Sequence, residues 1–448
     1  MKIRKFLASD FAALDSNVYT GGGTDDTEAL QRVLDMAKDG DGVWLVMDGA
    51  ALVRGLKLYS NTTIECLSKD CGFFLADHAN CAVVTNAIWD DYELKTRNVK
   101  LIGGTYNQDC LNQDPFVLGD KIMFAGGTHY EAHNRKYTFG LEFYGIEHLL
   151  VRDVTIRNFK KYAFAVGGFR NVTIEDCWLE LPDHRNANNQ DGFHFWGPGR
   201  FLTVRNVGGR VGDDFMNLGP DERDKVSSIT DVLVDGVFLD DADQALRLLT
   251  RDKGRLDRVT IRNVIGTYRS FGFFINPWFL DETMGNFGHI FIENVELKSM
   301  EPNYTYRKPI LFSLGGNIES IIMKNVRSHG EHDARALFEI GSVYHDPLCE
   351  QQKAYGDRQK LGTIVIEDLF VTANADEPQD THYITVCEKV DRLMLKNVKI
   401  FKEQEPNGML IDLFDRGQID TLLMENVYTE GVAVEVNCPE RVGKTVKL

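Results

Sequence analysis

None of the eight cysteines in this 448-residue chain forms a CxxC pair, and none joins histidine at zinc-ligand spacing. They stand at Cys66, Cys71, Cys81, Cys110, Cys177, Cys349, Cys387 and Cys438. The spacing gives no support to a structural zinc, and a disulfide framework is not expected without a signal peptide. Cys177 and Cys387, inside strand-like runs, read as small apolar packing groups. No stretch approaches the roughly 20 apolar residues of a transmembrane helix. The opening Met1–Asp10 is basic but has no apolar core of a signal. A cytoplasmic chain is therefore expected, secreted only if an export signal has been removed. Positive charge is in deficit: the net charge of −17 argues against nucleic acid and anionic membrane as partners. A local basic patch can still receive an acidic substrate. Phosphate-cradling glycine loops, nucleotide motifs and a Ser-His-Asp set are also missing, and Gly126-Gly127 and Gly315-Gly316 read as turn glycines. No cofactor is implied. Asp221, Glu222 and Asp224, with Asp213-Asp214, offer oxygens for Ca²⁺, but their order fits no calcium loop, so no metal is assigned.

What the chain has is a repeat. Apolar residues alternate and a polar turn follows, as in Asn171-Val172-Thr173-Ile174-Glu175-Asp176-Cys177, Val259-Thr260-Ile261-Arg262-Asn263-Val264 and Leu393-Met394-Leu395-Lys396-Asn397-Val398. The central apolar position recurs at 151, 174, 204, 234, 261, 292, 323, 366, 395 and 424, in steps of 23 to 31 residues apart from one longer step that implies an inserted loop. Period-two alternation means strand. Strands repeating at this interval mean a coil whose stacked turns bury one continuous core. Asn or Asp suits the bend that ends each strand. A second strand precedes each motif, as in Gly140–Gly145, Ala163–Gly167, Gly192–Gly197, Asp214–Gly219, Ala245–Leu249 and Gly272–Asn276.

Two strands in fixed order per rung predict an all-β protein, a single parallel β-helix domain over 1–448, with rungs over about 60–430. No linker interrupts it. Thr24–Leu34 has an acidic first turn and then helical apolar spacing, with Thr24 placed to cap it. A helix over about 24–38 is expected to close the open end of the coil.

In the second-strand set the alternate residues point outward. Stacked rungs then build a face carrying Glu142, Ala165, His194, Asn217, Arg247 and Phe274, with Glu339 further on. Asp191 opens one strand and Asp213-Asp214 opens the next, 22 residues later. One rung apart, these three carboxylates should lie side by side. Crowded acids push their pKa values apart, leaving one protonated beside ionised neighbours. That suits a glycosidase, with an acid for the leaving oxygen and a base for water. Asp residues that merely bend the chain are the plainer alternative for any one of the three. His194 suits a sugar hydroxyl or the tuning of the acids. Arg247 suits a carboxylate or sulfate, or else a salt bridge to Asp241, Asp243 or Asp214. Trp196, Phe215 and Phe274 suit stacking on sugar, or packing beneath loops. His184, Arg185 and Asn188 are candidates for a cleft wall.

Asn189-Gln190-Asp191-Gly192 and Gly212-Asp213-Asp214 resemble the Asn-Thr-Asp-Gly and Gly-Asp-Asp motifs of glycoside hydrolase family 28, the polygalacturonases. Gly21-Gly22-Gly23-Thr24-Asp25-Asp26-Thr27 resembles the entry segment of the wider pectate-lyase-like superfamily. The resemblance spans most of the chain as a fold but only about thirty residues as motifs. It implies a right-handed coil and an inverting hydrolase acting on a pectin-like or related glycan. On it, Asp213 is the general acid and Asp191 and Asp214 activate water. The family's following rungs carry Gly-His-Gly and Arg-Ile-Lys, whose cations hold the substrate carboxylate. Here Gln244–Leu248 and Ser270–Ile275 stand in those places; in an alternative register Arg247 matches the arginine, and Leu249 replaces the lysine.

Three readings follow. The first is an exo-acting or oligosaccharide-directed inverting glycoside hydrolase on a plant or microbial oligosaccharide or polysaccharide; a cytoplasmic site favours short imported substrates. The second is a polysaccharide lyase or epimerase, which needs a cation against a uronate and a base for its C5 proton. The third is a non-catalytic glycan-binding coil.

Overall fold

A computed structural model describes residues 2–87, 92–114, 138–182, 189–277, 283–302, 309–329, 336–342, 359–373, 382–402 and 407–448. The chain is a right-handed parallel β-helix, its strands pairing in parallel from one turn to the next. It divides into two compact units, Met1–Met216 and Asn217–Leu448.

In the first unit one apolar ladder runs through Leu45, Ile64, Leu101, Val151, Ile174 and Val204, each in register with the next and all buried. Three of these are the positions the repeat marks, 151, 174 and 204. Each fully buried aliphatic side chain contributes about 1.5–3 kcal/mol. The two strands expected per rung are joined here into long bent strands, Leu141–Arg152, Phe164–Glu175 and Phe193–Arg210. Gly145 and Gly168, at φ 58° and 63°, turn two of those corners in a conformation that costs other residues energy. A second bend at Asp153 and Asp176, φ 56° and 57°, leads into the three-residue strands Thr155–Arg157 and Trp178–Glu180. Three residues are too few for alternation to register, so the repeat does not reveal this third face.

The beginning of the chain departs from expectation. The helix covers Thr27–Asp35 and is followed by a 3₁₀ turn, Met36–Asp39. Its N-cap is Asp26, not Thr24. Thr24 instead donates through its N–H and Oγ1 to Asp15, at 2.7 and 3.1 Å. Gln31 fixes the helix alongside strand Leu56–Leu58 by two bonds to the Lys57 backbone, 2.9 and 3.0 Å. Strands also begin well before residue 60. Ile3–Leu7 already pairs with Gly42–Met47. Its lysine and arginine, which protect an exposed strand edge, mask the alternation in the sequence.

In the second unit the ladder runs Val234, Ile261, Ile292, Met323, Ile366, Leu395 and Met424, the repeat's remaining positions in unbroken register. A parallel aromatic stack, Phe273–Phe312–Phe338, fills the interior at ring separations of 4.7 and 5.0 Å. Strands continue past 430, through Val432–Val436 and Val442–Lys447. The polar residue at each bend has a second task. Asn263, Asn294 and Asn325 adopt φ 60°, 59° and 50°. Asn325 donates through Nδ2 to Asn294, Asn294 to Asn263, and Asn263 to Asp235, over 2.7, 2.9 and 2.7 Å. A second chain runs Asn426 to Asn397 to Asp368, each bond 2.9 Å. The short amide tolerates the left-handed bend and bridges to the next turn.

Candidate active site

The first unit brings Asp191, Asp213 and Asp214 to the openings of neighbouring turns. The N–H of Gly192 donates to the Asp214 carbonyl at 2.8 Å, and those of Gly212 and Asp213 donate to Gln190 at 3.0 and 3.2 Å. Gly192 is required for this approach: a Cβ there would lie 2.3 Å from the Phe215 carbonyl oxygen. Asp213 Oδ2 accepts the Asn189 N–H at 2.7 Å. Asp191 and Asp214 are buried, and Asp213 is half-buried.

His194 stands on the expected outward column, in register with Ala165 and then Glu142. Its Nδ1 lies 2.8 Å from Asp191 Oδ2. Tyr162 stacks flat on the imidazole at 4.2 Å, and Trp196 leans on it at 4.5 Å. Phe139 in turn stacks on Tyr162 at 4.6 Å. The column is therefore roofed with aromatics rather than open to water: Phe139, Tyr144, Tyr162, Ala165 and Trp196 form one buried cluster. Glu142, half-buried, accepts the Tyr144 hydroxyl at 2.7 Å.

Of the aromatics, Phe215 lies neither on a cleft nor beneath a loop, and Trp196 takes the packed alternative. Phe215 points into the coil, its ring 5.8 Å from Phe193 in the interior, because alternation from Asp214 turns it inward. Trp196 faces outward but is fully covered by its neighbours.

Lys161 was not foreseen. Its side chain is 3% exposed, and it feels the charges of both Asp191 and Asp213. Burial pushes its ammonium down to about 8, with the two carboxylates pulling the other way. The signal lay in the turn, not the strand: Lys160-Lys161-Tyr162 opens the rung before Asp191 as the acids open theirs.

In the second unit Asn217 is buried, and so is Arg247. Arg247 Nη1 donates to the Phe274 carbonyl at 3.2 Å, and its guanidinium lies 4.0 Å above the Phe274 ring. The opposite constraint on that ring is Phe271, stacked at 4.1 Å. Phe274 is thus packed between neighbours rather than offered as a sugar platform. The column continues from Phe274 to Ser313 and then Glu339, also buried. Asp241 binds Arg269 through both oxygens at 2.9 Å, and Asp243 accepts the Ser270 hydroxyl at 2.9 Å.

Asp221 and Asp224 tie turns. Asp221 accepts the N–H groups of Arg251, Asp252 and Gly254 at 2.6 to 3.0 Å; burial nonetheless pushes its carboxyl up to about 6. Asp224 accepts from the backbone of Val226 and Ser227. Among the described residues no group of three or more His, Cys, Asp or Glu side chains is arranged to hold a metal ion, and no helix is long and apolar enough to cross a membrane. His184, Arg185 and Asn188 lie outside the described residues.

No family model and no curated protein matches the chain. Solved structures do. The chain is similar to the A-module of the mannuronan C-5 epimerase AlgE6 of Azotobacter vinelandii, at 12% identity over 99% of each chain and TM-score 0.51. It is similar to the N-terminal fragment of bacteriophage Phi29 gene product 12, at 13% identity over 98% of this chain and 72% of that one, TM-score 0.51. A hyperthermoactive exopolygalacturonase from Thermotoga maritima aligns at 15% identity over 99% of this chain and 92% of that one, TM-score 0.48. The likeness is one of fold, the parallel β-helix.

Proposed function

We propose that the chain is a family 28-like glycoside hydrolase that cleaves a glycosidic bond in an oligosaccharide or polysaccharide with inversion. The observation that carries the reading is the pinning of Asp191 to Asp213 and Asp214 by three backbone hydrogen bonds between adjacent turns. Asp213, the half-buried member, protonates the leaving oxygen. Asp191 and Asp214 activate the water that attacks from the other face. Three carboxyls this crowded share protons unequally, which is what an acid and a base at one pH require. In the first unit His194, bonded to Asp191, and Glu142 on the same column are the polar groups assigned to the glycan. Asn217 and Arg247 are the corresponding candidates of the second unit. Phe215 supports the Asp214 strand from inside the coil, and Phe274 holds Arg247 in place.

A panel of aryl glycosides and defined oligosaccharides, with the first-formed anomer followed by NMR, tests the reading. Inverted product from the wild type and loss of turnover in Asp213→Asn and Asp191→Asn support it. Full turnover in both variants ends it.

A second reading, a lyase or epimerase on a uronide, is favoured by the Asp191–His194 bond: a carboxylate against Nδ1 makes the imidazole a stronger base for a C5 proton. A lyase product absorbs in the ultraviolet and a hydrolase product does not. An epimerised product keeps its chain length.

A further inference from the structure

We propose that Lys161 is a positioning residue of the carboxylate centre, whose buried ammonium balances Asp191 and Asp213 and so sets the charge state of the Asp191–His194 pair. Three features of the first unit place it there. The segment after Lys161 runs beside the Asp191 strand: the N–H of Ala163 donates to the Asp191 carbonyl at 2.8 Å, and that of Phe164 to the Gly192 carbonyl at 2.9 Å. The next residue, Tyr162, lies flat on His194 with an interplanar angle of 6°. Lys161 itself is buried, and the charged groups acting on it are Asp191, Asp213 and Lys160.

A buried ammonium is kept only against compensating charge. Asp191 and Asp213 attract its proton, while desolvation and Lys160 oppose it, and the result is a lysine pushed down to about 8. While Lys161 is charged it disfavours an imidazolium at His194 and favours the Asp191 carboxylate. When it loses its proton that restraint lifts, and the pair holds a proton more readily. Its catalytic consequence rests on the hydrolase reading; the charge coupling does not.

The test is an NMR pH titration of the His194 Cε1–H in the full chain, with the resonance assigned through His194→Gln. Lys161→Met should raise the His194 midpoint by about one pH unit, the direction expected for the loss of a like charge. Lys161→Arg, which keeps the charge, should return it towards wild type. An unmoved midpoint in Lys161→Met overturns the proposal. If that variant does not fold, Lys161→Gln is titrated instead, with the same two outcomes. On any glycan the wild type turns over, the pH–rate profile should shift in Lys161→Met and recover in Lys161→Arg. A shift at His194 in a chain that turns over no glycan keeps the coupling and removes the hydrolase reading.

Discussion

His194 meets Asp191 through Nδ1 at 2.8 Å while Tyr162 covers the face of its ring at 4.2 Å, so the orientation of this imidazole is fixed from two sides. His194→Phe should preserve the aromatic stack and lose the bond. A hydrogen bond to a charged group is worth about 1.5–3 kcal/mol, so turnover should fall roughly tenfold to a hundredfold if Asp191 depends on it. Thermal melting shows whether the fold is intact, and steady-state kinetics on the preferred glycan give the loss. Unchanged kinetics would remove His194 from the site.

Lys161 also predicts a pH dependence of stability. Its folded value, about 8, lies below the ordinary 10.5, so the unfolded chain binds more protons between those limits. Stability from this group therefore rises with pH from about 8 to 10.5, by on the order of 3 kcal/mol. Lys161→Met lacks that rise. Urea unfolding of both proteins at pH 7 and pH 10 should give a difference that moves in favour of wild type at the higher pH.

Asn294 sits in the middle of an amide chain, donating to Asn263 and accepting from Asn325, at φ 59°. Asn294→Ala loses both bonds and keeps the strained bend, at a cost of about 2 kcal/mol after allowing for partial exposure. The second unit should melt several degrees lower, at about 2–4 °C per kcal/mol. Asn294→Gly should recover the backbone part of the loss. Equal melting of the Ala and Gly variants would mean that the bend carries no strain.

Gly192→Ala brings a Cβ within 2.3 Å of the Phe215 carbonyl, and backbone cannot yield as a side chain end can. The turns carrying Asp191 and Asp214 must part, at a cost of about 1–3 kcal/mol. Reduced melting temperature together with reduced turnover is the expected pair of results. A stable and fully active variant would mean that the spacing of these acids is not critical.

Most of the fold was legible because a buried ladder demands apolar residues at a fixed interval. The positions 234, 261, 292, 323, 366, 395 and 424 are in register as counted. The same count brought Asp191 beside Asp213-Asp214. Other features left weaker traces. The strand Ile3–Leu7 is an edge, whose charges break the alternation. Thr155–Arg157 is too short to alternate. Phe215 suits sugar by its chemistry, but alternation turns it inward; Phe274 stands on the outward column as counted, where Arg247 and Phe271 enclose it. Lys161 stands in a turn, where a strand-based reading gives side chains no direction.

The amide chains at the bends have a polarity. In both chains each Asn donates its amide N–H towards the N-terminal side, and each chain stops on an aspartate, Asp235 or Asp368, which accepts and has no N–H to donate. An aspartate in this column therefore works as a terminator. Asp368 divides the column into two separately terminated runs, and it does so at the one long step in the repeat, between 323 and 366. A turn ending in Asn extends the run below it, whereas one ending in Asp starts a new run. The choice between two nearly identical side chains thus decides where one amide run ends and the next begins.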